Sequence, residues 1–219
     1  MRALVVALLA ALALTGVAAA DTQIWNAAFI QARPGATGVT GWLDLHARRR
    51  ADGTLFIVRP GIGYTFSKSL AVFVGYAYVP ISVDDADDRT EQRVWQQVVY
   101  TSELNASTKV QGRARLEQRF GLVDGDDLGH RVRLLGRAQW SSSRLFSLIA
   151  WDELFLGLND TMAFTSGFDQ NRLFLGVGAD TLVNGVRVEL GYMNIVRKVM
   201  DDTVTDHAVA ANLYVTLTP

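Results

Sequence analysis

Cysteine is absent from this sequence of 219 residues, and lysine occurs only at positions 68, 109 and 198. The lack of cysteine excludes a disulfide scaffold and thiolate metal sites. The formal net charge is −1, so the composition gives no indication of a nucleic-acid partner. After residue 21 no stretch approaches the ~20 apolar residues of a membrane-spanning helix. A mature chain within a membrane would therefore have to form a closed β-barrel.

The first twenty residues have the pattern of a secretory signal peptide. Met1-Arg2 gives a positive start, residues 3–17 are almost entirely apolar, and three alanines precede Asp21. A membrane-anchor helix is the alternative, but the run is short and no basic flank follows it. We therefore expect cleavage after residue 20, export from a bacterial cytoplasm, and one domain over residues 21–219.

Hydrophobicity in the rest of the chain alternates with a period of two. Between residues 110 and 120 the even positions are mostly apolar or small, while the odd positions hold Gln111, Arg113, Arg115, Glu117 and Arg119. Residues 131–140 and 186–192 repeat this pattern. A strand separates two such sets onto opposite faces, whereas a helix mixes them.

Turn residues divide the alternating stretches into eleven candidate strands. Asn184-Gly185 is the strongest hairpin signal, and from residue 66 onward short polar breaks alternate with longer ones. This alternation is typical of an antiparallel up-and-down transmembrane barrel with tight periplasmic turns and longer external loops. Bacterial single-chain barrels have even strand numbers, so the expected count is ten or twelve. The candidate strands are 23–33, 38–50, 54–66, 69–80, 91–103, 108–120, 129–141, 144–157, 169–181, 185–198 and 206–218.

Alternation alone does not distinguish a membrane barrel from a soluble, lipocalin-like barrel. The charged face favours the membrane barrel because it is rich in Arg, which suits paired and partly buried charges better than Lys. Small residues on the apolar face would leave voids in a dry core but not in lipid. Aromatic residues near strand ends predict interfacial girdles. These residues are Trp42, Tyr64, Phe66, Tyr76, Tyr78, Trp95, Tyr100, Phe120, Trp140, Phe146, Trp151 and Tyr192.

Several short motifs resemble the bacterial outer-membrane barrel family catalogued as domain of unknown function 2490. The more specific ones are Arg113-Ala-Arg115-Leu-Glu117-Gln118-Arg119 and Gln170-Asn171-Arg172-Leu-Phe-Leu-Gly176. Four shorter motifs accompany them in the family's order: Arg93-Val-Trp95-Gln96-Gln97, Arg131-Val-Arg133, Asp152-Glu153-Leu-Phe155 and Glu189-Leu-Gly191-Tyr192. The resemblance implies an outer-membrane barrel and no assigned activity.

Charged residues of one parity are expected to line the barrel lumen. The first interpretation is a structural role: Arg–Glu ion pairs fill the lumen of a narrow barrel, and the protein is a passive membrane component. The alternative is a narrow anion-selective pore, because Arg outnumbers Glu on this face. Asp44, His46, Arg48 and Arg59 lie further upstream on the same kind of face. The predicted ladder comprises Arg93, Arg113, Arg115, Glu117, Arg119, Arg131, Arg133, Arg137, Glu153, Arg172, Arg187 and Glu189.

Aspartates fall mainly in the longer breaks, which should share the external end of the barrel. Such loops are usually only solvated. Oxygen ligands at this density could also bind Ca²⁺ or Mg²⁺ close to lipopolysaccharide. The weak metal candidates are Asp84, Asp85, Asp87, Asp88, Asp124, Asp126 and Asp127. Other expected partners are outer-membrane lipid and the barrel-assembly machinery.

An enzyme at the barrel rim is the most distant alternative. His130 and His207 lie at strand starts, near Asp127 and Asp206 in sequence, and a His–Asp pair could orient a base. No Gly-x-Ser-x-Gly elbow accompanies them, and nucleophile, base and orienting group are not jointly identifiable. The sequence predicts neither catalysis nor a cofactor.

Overall fold

A computed structural model of the protein describes residues 22–33, 35–50, 52–121, 128–143, 145–162, 165–199 and 202–218. The expected signal peptide, residues 1–20, lies outside these ranges. Within them no helix is long and apolar enough to cross a membrane. The described chain is all-β, as the period-two pattern predicts.

Eleven strands in the described residues form one sheet that closes on itself. Each corresponds to one candidate strand of the sequence, with ends that differ by at most a few residues. The strands are β1 (Thr22–Ala32), β2 (Gly38–Arg50), β3 (Gly53–Thr65), β4 (Leu70–Val83), β5 (Arg89–Glu103), β6 (Thr108–Phe120), β7 (Gly129–Ser143), β8 (Phe146–Gly157), β9 (Gly167–Asp180), β10 (Val186–Val199) and β11 (Asp202–Leu217).

The strand count corrects the expectation of ten or twelve strands, and of a purely antiparallel sheet. Consecutive strands pair antiparallel, but β1 and β11 pair parallel, from Thr22↔His207 to Ala32↔Leu217. The even-number rule assumes that every pair is antiparallel. A parallel pair also satisfies the backbone groups of both edges, so an odd number of strands can close without leaving an open edge.

The connections alternate between the two ends of the barrel. We call the end that carries the β4–β5 and β8–β9 connections the acidic-loop end, and the opposite end the turn end. At the turn end, Asn184-Gly185 forms the predicted hairpin turn, and Gly185 has a φ of 76°, which favours glycine. At the acidic-loop end β11 begins earlier than expected, so Asp202 lies in a strand rather than a loop.

The two faces of the sheet differ sharply in polarity. Many apolar side chains of the outer face are exposed, including Leu134, Leu175 and Leu190 at 45%, 55% and 49%. Arginines of the opposite parity are buried inside, including Arg115 and Arg133 at 1% and 5%. Strand alternation converts the sequence pattern directly into an apolar exterior and a charged interior.

Aromatic residues fill part of the interior, which corrects the expectation that all of them form girdles. Trp95 is fully buried in a cluster with Phe73, and Trp42 packs against this cluster. Trp151 packs against a second cluster that includes Trp25 and Phe174. Trp95 has the parity of the lumen arginines of β5, and this signal outweighs its general preference for interfaces.

Trp95 lies against Gly61 and Gly75 of the inner wall, where a β-carbon would collide with the indole ring. We expect Gly75→Ala to destabilise the protein by about 1–3 kcal/mol through overpacking. Gly112→Ala is the matched control, because no atom lies within 4 Å of its added β-carbon. Urea unfolding of the refolded protein would measure both, and equal midpoints would contradict the packing of Trp95 described above.

Candidate functional site in the barrel lumen

Glu117 of β6 is the central carboxylate of the lumen and is fully buried. Arg131 and Arg133 of β7 bind its two oxygens at 2.6 and 2.7 Å. Arg93 and Arg115 lie slightly further away, at 3.8 and 3.9 Å. One carboxylate thus lies close to four guanidinium groups and partly balances their charges. Buried arginines require such compensation.

Two further carboxylates extend this network along the wall. Glu153 of β8 binds Arg113 at 2.6 Å and Arg133 at 2.8 Å. Glu91 of β5 binds Arg93 at 2.7 Å and also accepts a hydrogen bond from Arg119. Arg133 therefore links Glu117 to Glu153, and Arg93 links Glu117 to Glu91.

Asp44 connects the network to the opposite wall. This residue of β2 binds Arg59 of β3 at 3.0 Å and lies 3.7 Å from Arg115 of β6. Strands β2 and β6 are not neighbours in the sheet, so the contact with Arg115 crosses the lumen. Arg115 is further fixed by two hydrogen bonds to Gln97 and by stacking over Trp95.

A separate group lies towards the turn end. Glu189 of β10 binds Arg137 at 2.5 Å and Arg187 at 2.9 Å. Arg187 also binds Asp180 at 3.0 Å. Arg137 lies over the ring of Tyr214, which fixes its orientation.

All twelve residues of the predicted ladder lie on the inner face. Nine belong to the network around Glu117 and Glu153, and three belong to the group around Glu189. Sequence reasoning missed Glu91 and Asp169 as partners. Glu91 has the parity of Arg93, so a signal existed. Asp169 lies at a register irregularity between β8 and β9, which brings it within 2.8 Å of Arg131 although its parity differs from that of Arg172.

Two cavities lie within the lumen, one on each side of a layer of arginines. The first, of about 660 Å³, faces the acidic-loop end. The second, of about 310 Å³, extends towards the turn end. Their lining residues overlap in a layer that we call the arginine layer: Trp25, Arg48, Arg59, Arg133 and Arg172. The layer separates the two cavities and narrows the lumen.

The metal candidates that the structure describes, Asp84, Asp85, Asp87 and Asp88, do not form a site with one another. Within the described ranges no group of three or more His, Cys, Asp or Glu residues could hold a metal ion. Asp84 lies 3.8 Å from Arg49, and Asp88 accepts a hydrogen bond from Ser82. Asp85 and Asp87 are exposed beside them. Asp124, Asp126 and Asp127 lie outside the described residues.

A hydrogen bond shapes another acidic loop at the same end. The backbone N–H of Ser166 donates to Asp160 Oδ1 at 2.6 Å. This bond lowers the pKa of the Asp160 carboxyl below its ordinary value. Asp160 therefore stays ionised in the loop between β8 and β9.

The structure does not bring His207 to Asp206, the carboxylate next to it in sequence. His207 is exposed on the outer face, and its Nδ1 lies 2.5 Å from the Tyr192 hydroxyl. Asp206 points the other way and binds Arg197 at 2.6 Å. Asp127, the expected neighbour of His130, lies outside the described residues.

A closed all-β barrel with an ion-paired interior is the class that the geometry defines. Residues 22–204 match the family described as a protein of unknown function, DUF2490, and the chain belongs to this family. The chain is also similar to an uncharacterized protein of Methylorubrum extorquens. The two are 33% identical over 168 residues, which cover 73% of this chain and 71% of the relative.

Glu117→Gln tests the importance of the central carboxylate. We expect it to destabilise the protein by about 3–5 kcal/mol, because it removes the carboxylate that Arg131 binds most closely and one of the two that bind the buried Arg133. Glu103→Gln, at the exposed end of β5, is the control and should change stability little. Both values come from denaturant unfolding, and a loss below 1 kcal/mol for Glu117→Gln would show that the network is not stabilising.

Proposed function

We propose that this protein is an exported outer-membrane β-barrel whose charged lumen makes it a passive, structural component of the membrane. The exposed apolar outer face carries the proposal. Side chains such as Val74, Leu175 and Val209 are about half exposed at mid-strand positions. A water-soluble barrel would have its charged face outside and its apolar face inside, the reverse of the arrangement here.

Exposed aromatic residues near both barrel ends support the same proposal. Tyr64, Tyr100 and Trp140 lie at the turn end of the alternate strands β3, β5 and β7 and are 45%, 55% and 46% exposed. Phe56 and Tyr78 lie nearer the acidic-loop end, at 47% and 46%. Amphipathic rings favour the boundary between hydrocarbon and water, and two such girdles are typical of membrane barrels.

The lumen network supports a passive role over transport. Ion pairs from Asp44 to Glu153 cross the interior, and apolar clusters that include Trp25 and Trp95 also pack inside the barrel. The partners consistent with this role are membrane lipid, lipopolysaccharide at the acidic-loop end and the barrel-assembly machinery. Divalent cations bridging the loops to lipopolysaccharide remain part of the proposal, without a preformed site in the described residues.

A narrow anion-selective pore is the second candidate function. The two lumen cavities favour this function because they follow one another along the barrel. They share Trp25 and the arginines of the arginine layer between them. A third cavity of about 390 Å³ at the turn end shares Arg137 and Tyr214 with the second. Arginines that line a constriction attract anions and exclude cations.

Leu134→Arg distinguishes lipid from water at the outer face. If this mid-strand residue contacts lipid, the substitution should destabilise the protein in phospholipid vesicles by about 2–4 kcal/mol. Leu182→Arg is the matched control, because Leu182 is fully exposed in the turn between β9 and β10. Denaturant titration in vesicles measures both variants, and an unchanged stability for Leu134→Arg would mean that the outer face contacts water.

Planar-bilayer conductance distinguishes the two candidate functions. We expect refolded protein that has inserted into the bilayer to show no steady conductance steps, because the ion-paired network fills the narrow layer. Insertion is checked independently by protease protection in vesicles, and an open porin serves as the positive control for the bilayer. Steady, anion-selective steps from the wild-type chain would replace the passive role with the pore.

A further inference from the structure

The cavity at the acidic-loop end is strongly cationic. Its lining contains eleven Lys or Arg residues and only three Asp or Glu residues. Arg89, Met162 and Lys198 at its rim are exposed, so the cavity opens towards that end of the barrel. Charge of one sign in a concave, partly desolvated site concentrates ions of the opposite sign.

Most of these cations have a carboxylate partner among the described residues, but the buried Arg48 has none there. Arg59 binds Asp44, Arg119 binds Glu91, and Arg131 binds Glu117. Among the residues that the structure describes, no carboxylate lies within ion-pair distance of Arg48, which is only 9% exposed. An unpaired guanidinium at this burial is costly unless an anion from outside compensates it.

Arg172 is the second undercompensated cation of the cavity. Its nearest carboxylate, Glu153, is 4.0 Å away and already binds Arg113 and Arg133 more closely. Arg172 donates one hydrogen bond to Gln170, which is neutral. Its charge is therefore weakly balanced within the described network.

A single tryptophan holds these two arginines together. The Arg48 and Arg172 guanidinium carbons lie 3.9 and 4.8 Å from the centre of the Trp25 ring. The indole N–H of Trp25 donates to Gln23 at 2.8 Å, which fixes the ring. The cation–π contacts offset part of the desolvation of each arginine, but they do not remove the repulsion between the two charges.

Three of the unused hydrogen-bond donors of the interior lie at the same place. The Nε atoms of Arg48, Arg59 and Arg172 are buried, and none has a hydrogen-bond partner among the described residues. All three residues belong to the arginine layer, which forms the floor of the cavity. Buried donors without partners are rare in folded proteins and point to a missing acceptor.

We propose that the cavity floor, formed by Arg48, Arg59, Arg172 and Trp25, binds a phosphate group from the acidic-loop end. The group is either free inorganic phosphate or the phosphate of a small soluble phosphomonoester. A tetrahedral, doubly charged phosphate offers acceptor oxygens in several directions, which suits donors from three strands better than a planar carboxylate does. A cavity of about 660 Å³ leaves space for an organic substituent above the phosphate.

This binding site goes beyond the proposed membrane role and does not depend on it. Binding is measured on the full chain in detergent micelles, where neither insertion nor conductance is required. Absence of phosphate binding would overturn the site and leave the vesicle and bilayer tests unaffected. Absence of insertion would overturn the membrane role and leave the binding result unaffected.

Isothermal titration with inorganic phosphate and with glucose 6-phosphate, at an ionic strength held constant with NaCl, tests the site. We expect wild-type protein to bind at least one of the two, and Arg48→Gln to weaken that binding by about tenfold or more through loss of a charge-assisted hydrogen bond. Arg49→Gln is the matched control, because this neighbour on the same strand is exposed and contacts Thr54 and Asp84. Its affinity should equal that of the wild type.

Thermal unfolding of the same variants separates a ligand site from a purely structural arginine. In phosphate-free buffer Arg48→Gln should raise the unfolding midpoint, because it removes an unpaired buried charge, and phosphate should stabilise only the wild type and Arg49→Gln. Preferential binding of glucose 6-phosphate would identify an organic phosphate as the source. No binding of either probe at millimolar concentration, or equal affinity in Arg48→Gln, would overturn the proposal.

Discussion

Guanidinium groups that point into a closed barrel must find negative charge there, and this constraint organises the interior. A buried cation without a partner costs several kcal/mol, whereas one carboxylate can accept hydrogen bonds from several arginines. Glu117 and Glu153 meet this requirement through Arg133, which binds both. The contact between Arg115 and Asp44 extends the network across the lumen, so the charges also tie opposite walls together.

The sequence alone was sufficient to predict the strands and their two faces, because side chains of a strand can only point to one face or the other. All eleven candidate segments correspond to strands, and the arginines of β6 and β7 lie on the expected face. Closure depends on geometry that no single segment encodes. The parallel pairing of β1 with β11 joins segments from the two ends of the described chain, and local patterns contain no information on it.

The sequence predicted the arginines of the candidate site better than it predicted the carboxylates that bind them. Parity identified the twelve ladder residues and would also have identified Glu91, which precedes Arg93 by two positions. The irregularity near Phe155 shifts Asp169 out of simple alternation, and only the register shows that it reaches Arg131. Trp95 and Trp151 were misassigned because aromatic residues suit both a membrane interface and the wall of a narrow lumen.

Arginines outnumber carboxylates in the arginine layer, and stability alone does not account for this excess of positive charge. A lumen selected only for stability would pair each cation, as at Glu117, or replace it with an apolar residue that packs against the clusters nearby. Arg48 does neither: it is buried against Trp25, and its Nε lacks a partner in the described chain. The indole ring makes this arrangement tolerable without neutralising it. Positive charge is thus retained in the layer between the two cavities, whereas elsewhere in the network carboxylates balance the arginines.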